Sequence, residues 1–512
     1  MLLPTSRSAR VVHLAALGLV VVLVAFAAPA SALPGAHVSS TTYVPAATYD
    51  GIQHLHYEYG PIDITPGQNT IEIHPNQLRP KVPGYITRFR PNLIYTKSRK
   101  VPRVDVIHLH HGVWVINGYP TFAAGEEKTA TNFPPGYGFH SQRNDGWLMN
   151  YMIHNLTPTP TSVYVTYDID FVPDGAAAAA GIVPVKPLWM DVAGIRPYPV
   201  FDAVKGQGTK GHFTFPDQAR ASQRGDIGAA HQFAVPRDIT LVGTAGHLHP
   251  GGLYDDLKAT RNGQRKLLFR SVAKYFEPAG AVSWDVSMTA TKPSWRVALR
   301  AGDTLSVSTT YDTGKASWYE SMGIMVTWYA DGIRPGARDP FSQAVETRGL
   351  LTHGHLPENN GHGGRPFPLP DARSLLDGFG TNSVSIQDFL YGRGDLNGSG
   401  KAGRPPVIRA GQSITFTNLD GTPDLSPSAS AYHTITACKA PCNRSTGIAY
   451  PIADGAVQFD SKELGYGPAG FTPASNTHTW STPKTLRAGT YTYFCRIHPF
   501  MRGSFRVVSI KP

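Results

Sequence analysis

Three side chains near the C-terminus have the types and spacing to do chemistry: the thiol of Cys495, the imidazole of His498 and the thioether of Met501, one at every third residue. A soft thiolate, an imidazole nitrogen and a weak thioether form a donor set that suits copper cycling between Cu(I) and Cu(II). The set lacks a second imidazole, and His433 in Ala431-Tyr-His433-Thr-Ile-Thr436 supplies one from an alternating strand upstream. Aromatic and β-branched runs flank the Cys495–Met501 loop, and Pro499 and Gly503 punctuate it, so the segment reads as strand, loop, strand. The plainer alternative is a buried structural cysteine beside an incidental histidine and methionine.

A second group of donors lies earlier in the chain. His108, His110 and His111 share one strand candidate, His154 closes another, His247 and His249 follow Leu241-Val-Gly-Thr-Ala-Gly, and Met322 sits in Glu-Ser-Met-Gly. Histidines two apart on a strand project to one face, so His247 and His249 can chelate one ion, and His108 and His110 share a face as well. Adjacent His110 and His111 point to opposite faces of a regular strand and meet at one metal only if the strand is bulged or the two rings use different nitrogens. These histidines can equally satisfy buried hydrogen bonds in a sandwich without metal, and that is the better reading for the isolated His54, His56, His74, His140, His212 and His231.

The elements that must position these donors are short strands. The 512 residues include 52 Gly and 43 Pro, only 16% are charged, and strand candidates bounded by Gly, Pro and Asn recur throughout. Such a pattern calls for an all-β chain: a tandem, jelly-roll-like β-sandwich body followed by a smaller β-sandwich. The Pro-rich stretch at 184–199 reads as the junction within the body. The expected division is a leader over 1–32, a first sandwich over 33–190, a second over 191–335, a linker over 336–374 and a final domain over 375–512. The leader has basic residues, an apolar run from Val11 to Ala28 and a small-x-small end at Ala30-Ser-Ala32, as an export signal does. An uncleaved anchor is the alternative reading of this run. No later segment is apolar for long enough to span a bilayer. The net charge of +11 is spread along the chain, and no nucleic-acid motif accompanies it.

Residues 383–509 resemble the cupredoxins, and among them the amicyanin, pseudoazurin and plastocyanin group. The resemblance rests on Val384-Ser-Ile-Gln-Asp-Phe389, Ile408-Arg-Ala-Gly411, the His433 strand, Phe459-Asp-Ser461 and the short Cys-x-x-His-Pro-x-Met loop. It implies a Greek-key sandwich with a type 1 copper on His433, Cys495, His498 and Met501. Residues 60–335 resemble, more sparsely, the copper type II ascorbate-dependent monooxygenases, the peptidylglycine α-hydroxylating and dopamine β-monooxygenases. Here the order His-His, Met-Ile-His-Asn, His-x-His and Glu-Ser-Met-Gly carries the likeness. It implies one copper on His110, His111 and His154, and a second, oxygen-activating copper on His247, His249 and Met322. Two departures stand out. That family's core is stapled by disulfides, yet no cysteine precedes Cys438, and Thr244-Ala-Gly246 stands where a basic residue would grip a peptide carboxylate.

With Cys495 assigned to copper, Cys438 and Cys442 are left to pair as a disulfide; a three-thiolate metal site is the alternative. His353, His355 and His362 lie in the Gly-rich stretch 349–364, which reads as linker or as a further metal-binding loop. Multicopper oxidases and copper nitrite reductases are disfavoured, because Phe494 precedes Cys495 and Arg496 follows it, where those enzymes use histidine. The expected function is that of an exported copper oxidoreductase: a monooxygenase-like body with two type 2-like coppers, fed electrons by its own cupredoxin. Joining the two by a linker makes electron delivery intramolecular. The implied partners are an external electron donor or acceptor (a small reductant or redox protein) and a small-molecule substrate. Two other functions remain open: an electron-transfer protein with a non-catalytic docking body, and an envelope copper-binding or storage protein.

Overall fold

The computed structural model describes residues 37–39 and 49–509, except 66–70, 105, 156–158, 195–198, 221–230, 277–285, 315–316, 356–369, 398–402, 425–430, 439–457, 467–476, 496–497 and 499–500. The leader, His362 and the Cys438–Cys442 pairing lie outside what it describes.

The chain is almost entirely β, as the strand pattern requires. In the first sandwich, one sheet runs in the order Ile71–Pro75, Trp147–Asn155, Ile107–Ile116, Tyr119–Gly125. The facing sheet is built on Thr161–Pro173, which pairs antiparallel with both Gln53–Ile64 and Gly84–Tyr95. Alternate residues meet between the sheets. Phe89 stacks on Phe122 at 4.4 Å between ring centres and meets Trp114 edge-on at 4.7 Å. Such aromatic pairs add to the burial of a large apolar area.

The second sandwich sets Ile239–Leu248, paired with Gly323–Asp331, against Thr304–Asp312 and Gly252–Arg261. Its join to the first is a shared strand. Val183–Asp191 runs parallel to Tyr137–Ser141 through its first three residues and antiparallel to Gly323–Asp331 through its last six. The position 190/191 therefore falls inside one strand. Trp328 of the second half is buried in the first half's core, 5.3 Å from Phe122 and 4.7 Å from Phe133.

The stretch expected as a linker begins packed. Phe341 and Val345 cover the second core, Asp339 accepts hydrogen bonds from Arg261, and Leu350–Leu351 pairs with Val286–Ala290. The C-terminal domain is a sandwich of two four-stranded sheets. Val407–Arg409, Arg502–Val508, Gly489–Phe494 and Thr436–Cys438 form one of them, over a core of Ile408, Ile435, Tyr493, Phe505 and their neighbours. Along Gly489–Phe494 the alternation of a strand divides two cores. Tyr493 and Cys495 point into the C-terminal domain, whereas Phe494 is fully buried in the core of the second body sandwich.

Candidate metal centres

The first centre is carried by the loop after Gly489–Phe494 and by His433. Cys495 Sγ lies 3.9 Å from His433 Nδ1 and 3.8 Å from His498 Nδ1, and the two nitrogens are 3.2 Å apart. An ion bound at ~2.05 Å from nitrogen and ~2.3 Å from sulfur in a trigonal plane would separate N and S by about 3.8 Å. The two N–S edges match that plane, and the 3.2 Å N–N edge is a few tenths of an ångström short of the ~3.55 Å it would have, so the triangle closes on a first-row metal with a small shift. Met501 is fully buried in the same core cluster as Cys495, and its backbone is tied to the loop: Cys495 N–H donates to Met501 O, and Met501 N–H to His498 O. Backbone N–H groups of Thr434 and His498 approach the sulfur at 3.4 Å, as suits a thiolate. His433 Nε2 bonds Asp420 at 2.9 Å, which fixes the ring with Nδ1 toward the centre. Burial opposes charge on His433, but Asp420 and the sulfur hold its pKa up at about 9, so an entering metal displaces a proton there.

The second centre lies on a strand that carries an irregularity. Ile107–Ile116 pairs with Trp147–Asn155 in a register that slips between Leu109 and His111, leaving His110 as an extra, bulged residue. Before the bulge Ile107 and Leu109 face the core; after it Trp114 and Ile116 do. The outer face thus receives His108, His110 and His111 together, which a regular strand forbids. His108 Nε2 sits 3.1 Å from Nδ1 of His154 on the neighbouring strand, and the His110 ring stacks on His154 at 4.2 Å. One nitrogen from each of these three residues lies within 4.8 Å of the others. His108 Nδ1 bonds the Val104 carbonyl at 2.7 Å, which leaves Nε2 to face the cluster. Burial first, then the neighbouring imidazoles, push His110 and His154 well below the usual histidine pKa, and burial lowers His108 to about 4. All three are neutral near pH 7, the form that binds metal.

The remaining histidines sort differently from the family pattern. His111 bonds Asn150 at 3.3 Å and faces an adjoining cavity. The His247 and His249 rings lie 5.3 Å apart and nearly perpendicular, a separation that two imidazoles on one ion also show. The His249 ring also lies 4.3 Å from His110, and these two with Glu126 form another group of possible ligands. His247 Nδ1 pairs with Glu127 at 2.9 Å. Burial disfavours its charge, but Glu127 raises its pKa to about 9. Met322 lines the cavity of about 340 Å³ with His111, His247, Trp189 and Trp328. The structure therefore brings His247, Met322 and His111 to one cavity, and His108, His110, His154 and His249 to one buried cluster. His353 reaches Glu127's carbonyl with its Nε2, while His355 packs near Phe276.

Sequence reasoning missed Glu126 and Glu127. The signal was Asn117-Gly118, both with positive φ, the pair that a tight hairpin turn demands. That hairpin folds Tyr119–Gly125 back along the histidine strand, with Gly125 opposite His111, and so carries both acids to the cluster.

The two centres face one another. His498 is buried, and its ring lies 6.5 Å from that of His154.

No protein-family profile matches the chain, and no curated protein matches its sequence. Among solved structures, a methionine-to-alanine mutant of amicyanin in its Cu(I) form is 20% identical over 28% of this chain and 92% of that chain, with a TM-score of 0.15. An amicyanin with a tryptophan-to-tyrosine change covers 28% of this chain and 91% of that one at the same identity and TM-score. The copper-containing nitrite reductase of Thermus scotoductus SA-01 is 14% identical over 54% of this chain and 58% of that chain, with a TM-score of 0.16. With TM-scores this low, none of these likenesses bears on function.

Proposed function

We propose that the protein is an exported copper oxidoreductase in which a type 1 copper, held by His433, Cys495, His498 and Met501, exchanges electrons with a metal held by His108, His110 and His154. The observation that carries this reading is the burial of His498 against His154. A ligand of one centre is apposed to a ligand of the other, with no solvent-exposed edge on His498. Copper at both centres supplies one-electron chemistry. The chain's own residues hold the donors rigid, exclude water from the sulfur and keep the body imidazoles neutral. The docked Phe494 makes the electron path internal.

The adjoining cavity supports a small, largely apolar substrate, since Val113, Ile324, Trp189 and Trp328 line it and polar groups gather at His111, His247 and Glu127. Oxygen insertion of the monooxygenase kind is the finer version of this reading. Its expected copper would sit on His247, His249 and Met322: the two rings are 5.3 Å apart, Glu127 engages only Nδ1 of His247, and Met322 lines the cavity beside it, while Glu126 and His110 compete for His249.

The test is metal analysis with optical and EPR spectra of copper-loaded protein. An intense visible band that vanishes in Cys495→Ser, beside a pale Cu(II) signal that vanishes in His108→Ala, supports the reading. Blue copper alone would leave an electron-transfer protein with a non-catalytic body.

A further inference from the structure

We propose that the body holds a second metal ion, bound by His110, Glu126 and His249 and sharing His110 with the three-imidazole centre. The inference rests on the functional reading above, because it adds a neighbour to the body metal assigned there.

Glu126 is the starting observation. Its side chain is fully buried, and neither carboxylate oxygen makes a hydrogen bond among the described residues. A carboxyl group in that state either keeps its proton or, when ionised, costs several kcal/mol, and a bound cation removes that cost. The nearby His247 attracts the carboxylate electrostatically but makes its hydrogen bond to Glu127, at 2.9 Å, so Glu126 gains no direct partner from that ring. What Glu126 does face is imidazole: Oε2 lies 3.6 Å from His110 Nδ1, and the ligand atoms of His110, Glu126 and His249 all lie within 4.8 Å of one another. That spread closes on an ion at about 2.1 Å from each donor with small side-chain rotations.

The group is assembled from separate elements. His110 stands on the bulge, Glu126 follows the hairpin strand Tyr119–Gly125, and His249 follows Ile239–Leu248 of the other sandwich. The site therefore forms only when the two halves are joined. Gly125 packs directly against this group, because a Cβ there would stand 2.7 Å from the His110 carbonyl and 2.6 Å from the His247 ring.

His110 belongs to both groups of donors. An imidazole carries nitrogens on two edges, so one ring spans two ions once its ring proton has left to solvent. The product is a pair of metals joined by a single five-membered ring. Two nitrogens and one carboxylate oxygen make a harder donor set than three imidazoles and suit a divalent first-row ion. Three protein donors also leave a position for an exogenous ligand.

The experiment loads metal-free, full-length protein with Cu(II), counts copper per chain and records EPR intensity. Three coppers, with the body pair spin-coupled through His110 and so contributing less EPR signal than their number, is the expected result. Glu126→Gln, which keeps the volume and removes the charge, should lower the count by one, retain the blue band and restore a full-intensity signal for the remaining body copper. His249→Asn should do the same, so a misfolded Glu126 variant would not leave the question undecided. A blue copper plus a single uncoupled body copper, unchanged in both variants, overturns this inference and leaves the functional reading intact. Blue copper alone overturns both.

Discussion

At the scale of single residues, the sulfur-containing centre has the sharper expectation. Cys495→Ser removes the only thiolate within reach of His433 and His498 among the described residues, so the intense visible band of the copper-loaded protein should disappear while the body metal count holds. A variant that kept the band would sink the ligand assignment. A second residue-scale expectation concerns pH. The hydrogen bond to Asp168 at 2.6 Å raises the pKa of His56, burial works against it, and Glu58 adds to the rise. A raised folded-state pKa stabilises the fold fully below the unfolded value of about 6.5, and that stabilisation is lost as pH rises through the folded value. Arg90 and Arg99 pair with the same two carboxylates and moderate the effect. His56→Gln should therefore cost more stability at pH 6 than at pH 9 in denaturant titrations. Equal losses at both pH values would refute the linkage.

At the scale of elements, the bulge at His110 and the shared packing of Trp328 decide the outcome. Trp328 leaves its own strand to fill the first sandwich's core, against Phe122 and Phe133. Trp328→Ala should cost about 3–5 kcal/mol, read as a lower midpoint in denaturant unfolding of the whole body. Separate transitions for the two halves, with only the second destabilised, would contradict the shared core. Gly125→Ala places a methyl group against His247, Glu127 and the backbone carbonyl of the ligand His110. It should reduce body copper without dimming the blue band, and an unchanged metal count would show that the loop yields.

At the scale of the whole molecule, docking is the quantity to test. Phe494 is buried in the body rather than in its own domain, beside the buried His498. Phe494→Asp should undock the C-terminal sandwich, which small-angle scattering would register as a larger radius of gyration. The blue band should survive, because Cys495 and Tyr493 face the other way. Electron exchange with the body centre should slow by an order of magnitude or more in rapid-mixing experiments. An unchanged rate would mean that the His498–His154 apposition is not the route.

Much of this was legible in the chain alone. The period-two alternation and the Gly/Pro punctuation specify an all-β sandwich architecture, because a strand shows its two faces in every second residue. The Cys495, His498, Met501 spacing confines three donors to one short loop, and His433 stands on a strand that the alternation already identifies. Local pattern suffices where the donors are local. The body cluster was not legible in that way. His108 and His110 share a face by simple alternation, but that His154 lies beside them is set by the pairing with Trp147–Asn155, and only the bulge in that pairing brings His111 to the same side. Glu126 and Glu127 have no pattern of their own and reach the site through the register of a hairpin. His249 comes to lie beside His110, and Phe494 meets a foreign core, for a common reason. Which side chains converge from elements distant in sequence is set by how sheets pack, and that information resides in no single segment.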